Sequence, residues 1–140
     1  MGKESEVVIL ELTRDQAMMV EHACELMARL RIGQFKFITE VFVDMHDKKG
    51  VKDFWFRRDR ANEALDLAAK LIGCVTLYNN TPDFENNILH HRAWSIYEVL
   101  RYTRSWHDNP DGNHFGVCYD VPMSWIDEPL PECRIVQKGD

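Results

Sequence analysis

The sequence predicts a mainly α-helical fold of about four helices, with the first kinked or broken near Gly33, a short N-terminal strand and an extended C-terminal segment. The two non-helical ends leave room for a small β-sheet. Three observations lead there. Apolar residues recur at three-and-four spacing from Val20 to Leu100, capping signatures precede two of these runs, and Pro122, Pro129 and Pro131 bar long helices near the end. The 140 residues are expected to form a single domain over 1–140, with enough chain for one core.

Val7 to Leu10, followed by Leu12, reads as a strand or extended arm. Thr13 then offers an N-cap oxygen, and Gln16 completes a capping box three residues later. The helix that follows has Val20, Ala23, Cys24, Met27 and Leu30 on one face. Gly33 interrupts the pattern, which resumes through Phe35, Ile38, Val41, Phe42 and Met45. Either one helix kinks there or two helices meet, with close packing the simplest reason for the glycine.

Lys48, Lys49 and Gly50 mark a turn. A third helix is expected from Asp59 to Ile72, stopped by Gly73. Thr81-Pro82 has the form of a cap and first-turn proline, opening a fourth helix that runs to about Trp106. Beyond it, Val117–Tyr119 and Arg134–Val136 are candidate short strands, one of which could pair with the N-terminal arm.

The apolar share of 45% and charged share of 29% are ordinary for a globular chain. A net charge of -6 argues against general nucleic-acid binding, which rests on a basic face, but leaves room for a local cationic pocket. No run reaches the roughly 18 apolar residues of a membrane span, and Met1 to Val8 lacks a secretory segment, so the expected location is cytoplasmic. Cys24, Cys74, Cys118 and Cys133 are scattered without zinc spacing.

The fourth helix carries two stripes. Leu89, Ala93, Ile96 and Leu100 read as the core face, while His90, Trp94, Tyr97, Arg101 and Arg104 run beside them on the same period. Guanidiniums bind phosphate or carboxylate in bidentate fashion and aromatic faces stack on flat rings, so the second stripe suits a flat anion. It is equally compatible with edge-of-core packing or an oligomer interface. Near Gly33, Arg31, Gln34 and Phe35 could present donors to the same ligand; a solvent-facing arginine and a capping glutamine explain them as well.

Other chemistries find less support. His90 and His91 are adjacent and point to different faces, and the Asp108-Asp111-Asn113 region lacks the ligands of a calcium loop, so no metal site is expected. No phosphate loop, dinucleotide fingerprint, GxSxG or HExxH occurs, and no cofactor is expected.

The block from Leu12-Thr13-Arg14-Asp15-Gln16-Ala17 through Arg31-Ile32-Gly33-Gln34-Phe35 resembles a group of small phage-encoded proteins with an LTxxQA start and an RxGQF stretch. The segment Ala93 to Tyr102, followed by Trp106, is similar to their second shared block. Tyr97 stands where a histidine is common in that group, and residues 44–87 have no counterpart. The resemblance implies a phage accessory protein, a class that often counters host defence; one mode is sequestration of a nucleotide signal in an oligomer with preformed pockets.

The expected function is therefore sequestration, without cleavage, of a cyclic oligonucleotide or ADP-ribose derivative in the host-cell cytoplasm by a homo-oligomer. Arg31, Arg101 and Arg104 would contact phosphate, Trp94, Tyr97 and Phe35 would wall the pocket, and Gln34 would read a polar edge, with His90 in the same stripe. The alternatives are a protein–protein module that inhibits a host enzyme, and a nucleotide-degrading enzyme using His90 or His91. The binding expectation requires cations from separate segments to meet in one hollow.

Overall fold

A computed structural model of the chain describes residues 6–42, 53–73, 87–112 and 116–139. Four α-helices occur there: α1 (Arg14–Arg31), α2 (Phe37–Glu40), α3 (Phe54–Ile72) and α4 (Ile88–Asp108), followed by a 3-10 turn at Val117–Tyr119. The fold is mainly helical, and the described residues contain no strand.

The capping box forms. The Thr13 hydroxyl accepts from the Gln16 amide at 3.3 Å, and the Gln16 side chain accepts from the Thr13 amide at 3.0 Å. At its other end α1 stops as the glycine demands. Gly33 sits at φ 84, its amide donates to Leu30 O at 3.0 Å and the Gln34 amide to Arg29 O at 2.9 Å. That is a Schellman closure, in which the left-handed residue is cheapest as glycine. The break is therefore a helix terminus, and only the single turn of α2 follows within the described residues.

Helices α1 and α4 lie antiparallel. Arg14 bonds Asp108 at one end, Glu21 pairs with Arg104, His90 meets the Ala28 carbonyl, and Arg31 meets Asn87 at the other end. The seam is tight because Ala28, fully buried, and Ala93 bring little bulk. It is also polar. Glu21 on α1 and His90, Tyr97, Arg101 and Ser105 on α4 are all buried.

That revises the expected roles of the two α4 stripes. Ala93 of the expected core stripe is buried, but Leu89 and Ile96 remain exposed, while His90, Tyr97 and Arg101 face inward. The cause lies on α1, where Glu21 and the Ala28 carbonyl ask for donors that leucine and isoleucine cannot supply.

Helix α3 begins five residues earlier than the sequence predicts, at Phe54, and ends at Gly73 with φ 88 as expected. It docks on α2 by a polar row. Arg58 pairs with Glu40 at 2.7 Å, Asn62 accepts from the Thr39 hydroxyl at 2.8 Å, and Asp66 pairs with Lys36 at 3.0 Å. Its apolar residues Phe56, Leu67, Leu71 and Ile72 stay exposed.

Val117–Tyr119 is a tight turn rather than a strand, closed by Tyr119 N–H to Gly116 O at 3.0 Å. The Tyr119 ring meets Trp106 edge-on at 5.3 Å, and its hydroxyl accepts from Asn109 at 3.1 Å. From there the chain, without helix or strand and bent at 125–128, reaches α4, where Glu128 takes a bidentate bond from Arg92, and then brings Lys138 to 3.9 Å from Glu11. The N-terminal arm, residues 6–12, has no assigned helix or strand and belongs to no sheet among the described residues. The proposed start of the fourth helix at Thr81-Pro82, and the segments around Met45, Cys74 and His114, lie outside the described residues.

Candidate ligand site

Cations and rings do assemble, through a partly unexpected set of residues. Arg29 lies over the Phe37 ring at 4.6 Å and within 5.7 Å of the Trp94 ring. Trp94 packs on Tyr97 at 4.9 Å, and the Arg101 guanidinium covers the Tyr97 ring at 4.7 Å. His90 stacks on Trp94 at 6.0 Å. The result is one column from Phe37 through Arg29, Trp94 and Tyr97 to Arg101, leading from the α1 terminus into the α1–α4 seam. One helical period on α4 sets it up, since 90, 94, 97 and 101 share a face.

At the outer end of the column an open groove of about 540 Å³ lies between the end of α1, α2 and α3. Arg29, Gly33, Gln34, Lys36 and Phe37 line one side, and Arg58, Asn62 and Asp66 the other. This falls within the roughly 300–1,000 Å³ of small-molecule sites.

Most of the cations are already neutralised. Glu25 accepts from Arg29 at 3.0 and 3.1 Å while Gln34 accepts from it at 2.9 Å. Arg58 and Lys36 hold Glu40 and Asp66. Arg104 donates to both Glu21 oxygens, at 2.9 and 3.1 Å, and that carboxylate holds the guanidinium above its usual range.

Arg101 differs. It is 8% exposed, donates one bond of 3.0 Å to the Tyr97 hydroxyl, and its Nε is buried without an acceptor. Among the described residues no carboxylate stands within 4.0 Å of it. Glu98, one turn earlier, is occupied by the Trp94 indole at 2.9 Å and keeps its other oxygen buried and unpartnered. Arginine does not shed its proton inside proteins, so a positive charge is held in the seam without a counter-ion among the described residues.

Two neighbours respond to the same burial. Desolvation pushes the Tyr97 phenol up, against the opposing pull of Arg101, so the phenol stays protonated. Desolvation pulls His90 below the usual imidazole range, opposed by its bond to the Ala28 carbonyl at 2.7 Å. Because a carbonyl only accepts, His90 Nδ1 carries the proton.

Of the residues singled out in the sequence, the structure brings His90, Trp94, Tyr97 and Arg101 into the column, and Gln34 joins through Arg29. Arg31 does not join. Its Nε donates to Asn87 at 3.2 Å, some 14 residues or roughly 20 Å along α4 from Arg101. Arg104 lies one turn from Arg101 but is committed to Glu21. Phe35 is half-buried, and it is Phe37 that faces Arg29. Arg29, Phe37 and Arg58 were not anticipated; the Glu25–Arg29 spacing of four residues was the available signal for the first.

No family model matches the chain, and no curated protein or solved structure is detectably similar to it. Within the described residues no helix is long and apolar enough to cross a membrane.

Proposed function

We propose that this protein is a phage accessory protein that binds and sequesters a small nucleotide immune signal, a cyclic oligonucleotide or an ADP-ribose derivative, in the host-cell cytoplasm. It releases the ligand intact, and so blunts an antiviral response. The observation that carries the reading is Arg101, a buried guanidinium whose Nε has no acceptor and which has no counter-ion among the described residues. An uncompensated buried charge costs several kcal/mol, and a phosphate supplies the missing negative charge together with an acceptor for Nε.

The surrounding chemistry fits the rest of a nucleotide. Trp94 and Phe37 offer stacking faces, and Arg29 a second cation. Gln34 offers an amide to a base edge once a ligand takes Arg29 from it. The likeness of the Leu12–Ala17, Arg31–Phe35 and Ala93–Tyr102 segments to phage proteins supports the biological setting. Arg31 and Arg104 drop out of the ligand set, being held by Asn87 and Glu21.

Calorimetric titration with cyclic dinucleotides, cyclic trinucleotides and ADP-ribose isomers tests this. The expected outcome is saturable binding of one class, with the ligand recovered unchanged after heating. Absence of binding across all three overturns the reading, and a converted product makes the protein an enzyme.

One observation favours a second reading, a module that docks on a host protein. Phe56, Leu67 and Leu71 of α3 are 56–74% exposed, an apolar row of the kind that marks interfaces. A stoichiometric protein recovered with the tagged chain from infected cells, with no small molecule released on heating, would favour it.

A further inference from the structure

The N-terminal arm carries four consecutive aliphatic residues outside any helix or turn, Val7 to Leu10, each 68–87% exposed. Side chains of a strand alternate between faces, so as a strand this run would be apolar on both faces. A strand of that composition belongs inside a sheet. The C-terminal tail shows the same pattern on a smaller scale, with Ile135 at 43% and Val136 at 64% exposed between Arg134 and Lys138.

Among the described residues no backbone–backbone hydrogen bond involves the arm before Thr13 or the tail after Asp120. Within that set, one chain thus carries two main-chain edges without backbone partners and flanked by opposite charges. The arm is flanked by Glu6 and Glu11, the tail by Arg134 and Lys138. Within a single copy Lys138 lies 3.9 Å from Glu11, while the aliphatic centre of the arm stays exposed.

We propose that the arm of one copy pairs as an antiparallel strand with the tail of a second copy, and the reverse pairing closes a two-fold dimer. Charge selects this arrangement over arm on arm, where centring the aliphatic run sets Glu6 across from Glu11, like against like. In the arm-to-tail register that places Glu6 opposite Lys138, Val8 meets Val136 and Ile9 meets Ile135, so apolar pairs form on both faces. Main-chain bonds along the edge supply affinity and the alternate side chains fix register, as in strand addition generally. The proposal stands independently of what the protein binds.

Sedimentation equilibrium of the full chain, from low to high micromolar concentration, is the test. The natural sequence dimerises; Ile9→Asp and Val136→Asp each weaken the dimer by about tenfold or more, equivalent to 1.4 kcal/mol, while far-ultraviolet circular dichroism stays unchanged. An equimolar mixture of the two variants recovers a heterodimer, because the intact arm of one meets the intact tail of the other. Should either variant lose helix, the charge reversals Glu6→Lys and Lys138→Glu replace it: each alone weakens association and the double reversal restores it. A monomer at every concentration overturns the proposal. So does a dimer that ignores Val136→Asp or the reversal at Lys138, since that is the result of pairing through arms alone.

Discussion

Replacing Arg101 by methionine separates a binding residue from a structural one, because the two roles predict opposite signs for stability. The methionine chain fills nearly the same volume without the charge. The variant forfeits the hydrogen bond to Tyr97, a charge-assisted contact of about 1.5–3 kcal/mol. It also forfeits the contact with the Tyr97 ring, about 0.5–2 kcal/mol. Against these stand relief of the buried Nε, about 1–3 kcal/mol, and relief of an ion held 8% exposed without a carboxylate, several kcal/mol more. The balance favours Arg101→Met by roughly 2 kcal/mol, or about 5–10 °C in melting temperature for a chain of this size. Urea denaturation of the ligand-free protein reads this directly. The same variant loses nucleotide affinity by about 100-fold or more, equivalent to 2.7 kcal/mol in a titration. A variant that is less stable than the natural protein and still binds refutes the argument, since Arg101 would then be a prop for the seam.

Three further outcomes follow from the same geometry. Arg104→Met strands the Glu21 carboxylate, which is 4% exposed, and costs about 2–4 kcal/mol in urea denaturation while leaving nucleotide affinity unchanged; a large affinity loss without a stability loss would return Arg104 to the ligand set. His90 is held below the ordinary imidazole range chiefly by burial, so the folded chain resists a proton that the unfolded chain accepts. Stability is full above the unfolded value of about 6.5 and falls as pH drops below it, until the folded value is passed; His90→Asn flattens that part of the profile, and parallel profiles for the two proteins would contradict the assignment. Gly112 sits at φ 62 with the Trp106 ring 2.6 Å from where a Cβ would stand, so Gly112→Ala loses about 2 kcal/mol or more and perturbs tryptophan fluorescence.

Local signals in the sequence were readable where one residue's stereochemistry decides the outcome. Thr13 with Gln16 specified the start of α1, and Gly33 its end, because a hydroxyl at that spacing and a left-handed position admit few alternatives. The candidate site was readable only in part. Periodicity shows that α4 has two stripes, but they are offset by one residue, about 100° of rotation, and hydropathy alone prefers the wrong one for the seam. The deciding facts, Glu21 and the Ala28 carbonyl, sit about 60 to 80 positions away in sequence. The same distance hid the fate of Arg104, whose ion pair with Glu21 spans 83 residues. Arg29 escaped notice for the opposite reason: its role depends on the chain reversing at Gly33, which brings Gln34 and Phe37 back against it. Strand expectations failed at Val117–Tyr119, where the Tyr119 ring is better placed against Trp106 than in a ladder.

A single amide ties α1 and α4 at their shared end. The Asn87 oxygen accepts from the His90 amide, closing the first turn of α4, and also from Arg31 Nε, while its nitrogen donates to the Arg31 carbonyl at the close of α1. Fraying of either terminus therefore breaks bonds belonging to the other, and the two ends open together or not at all.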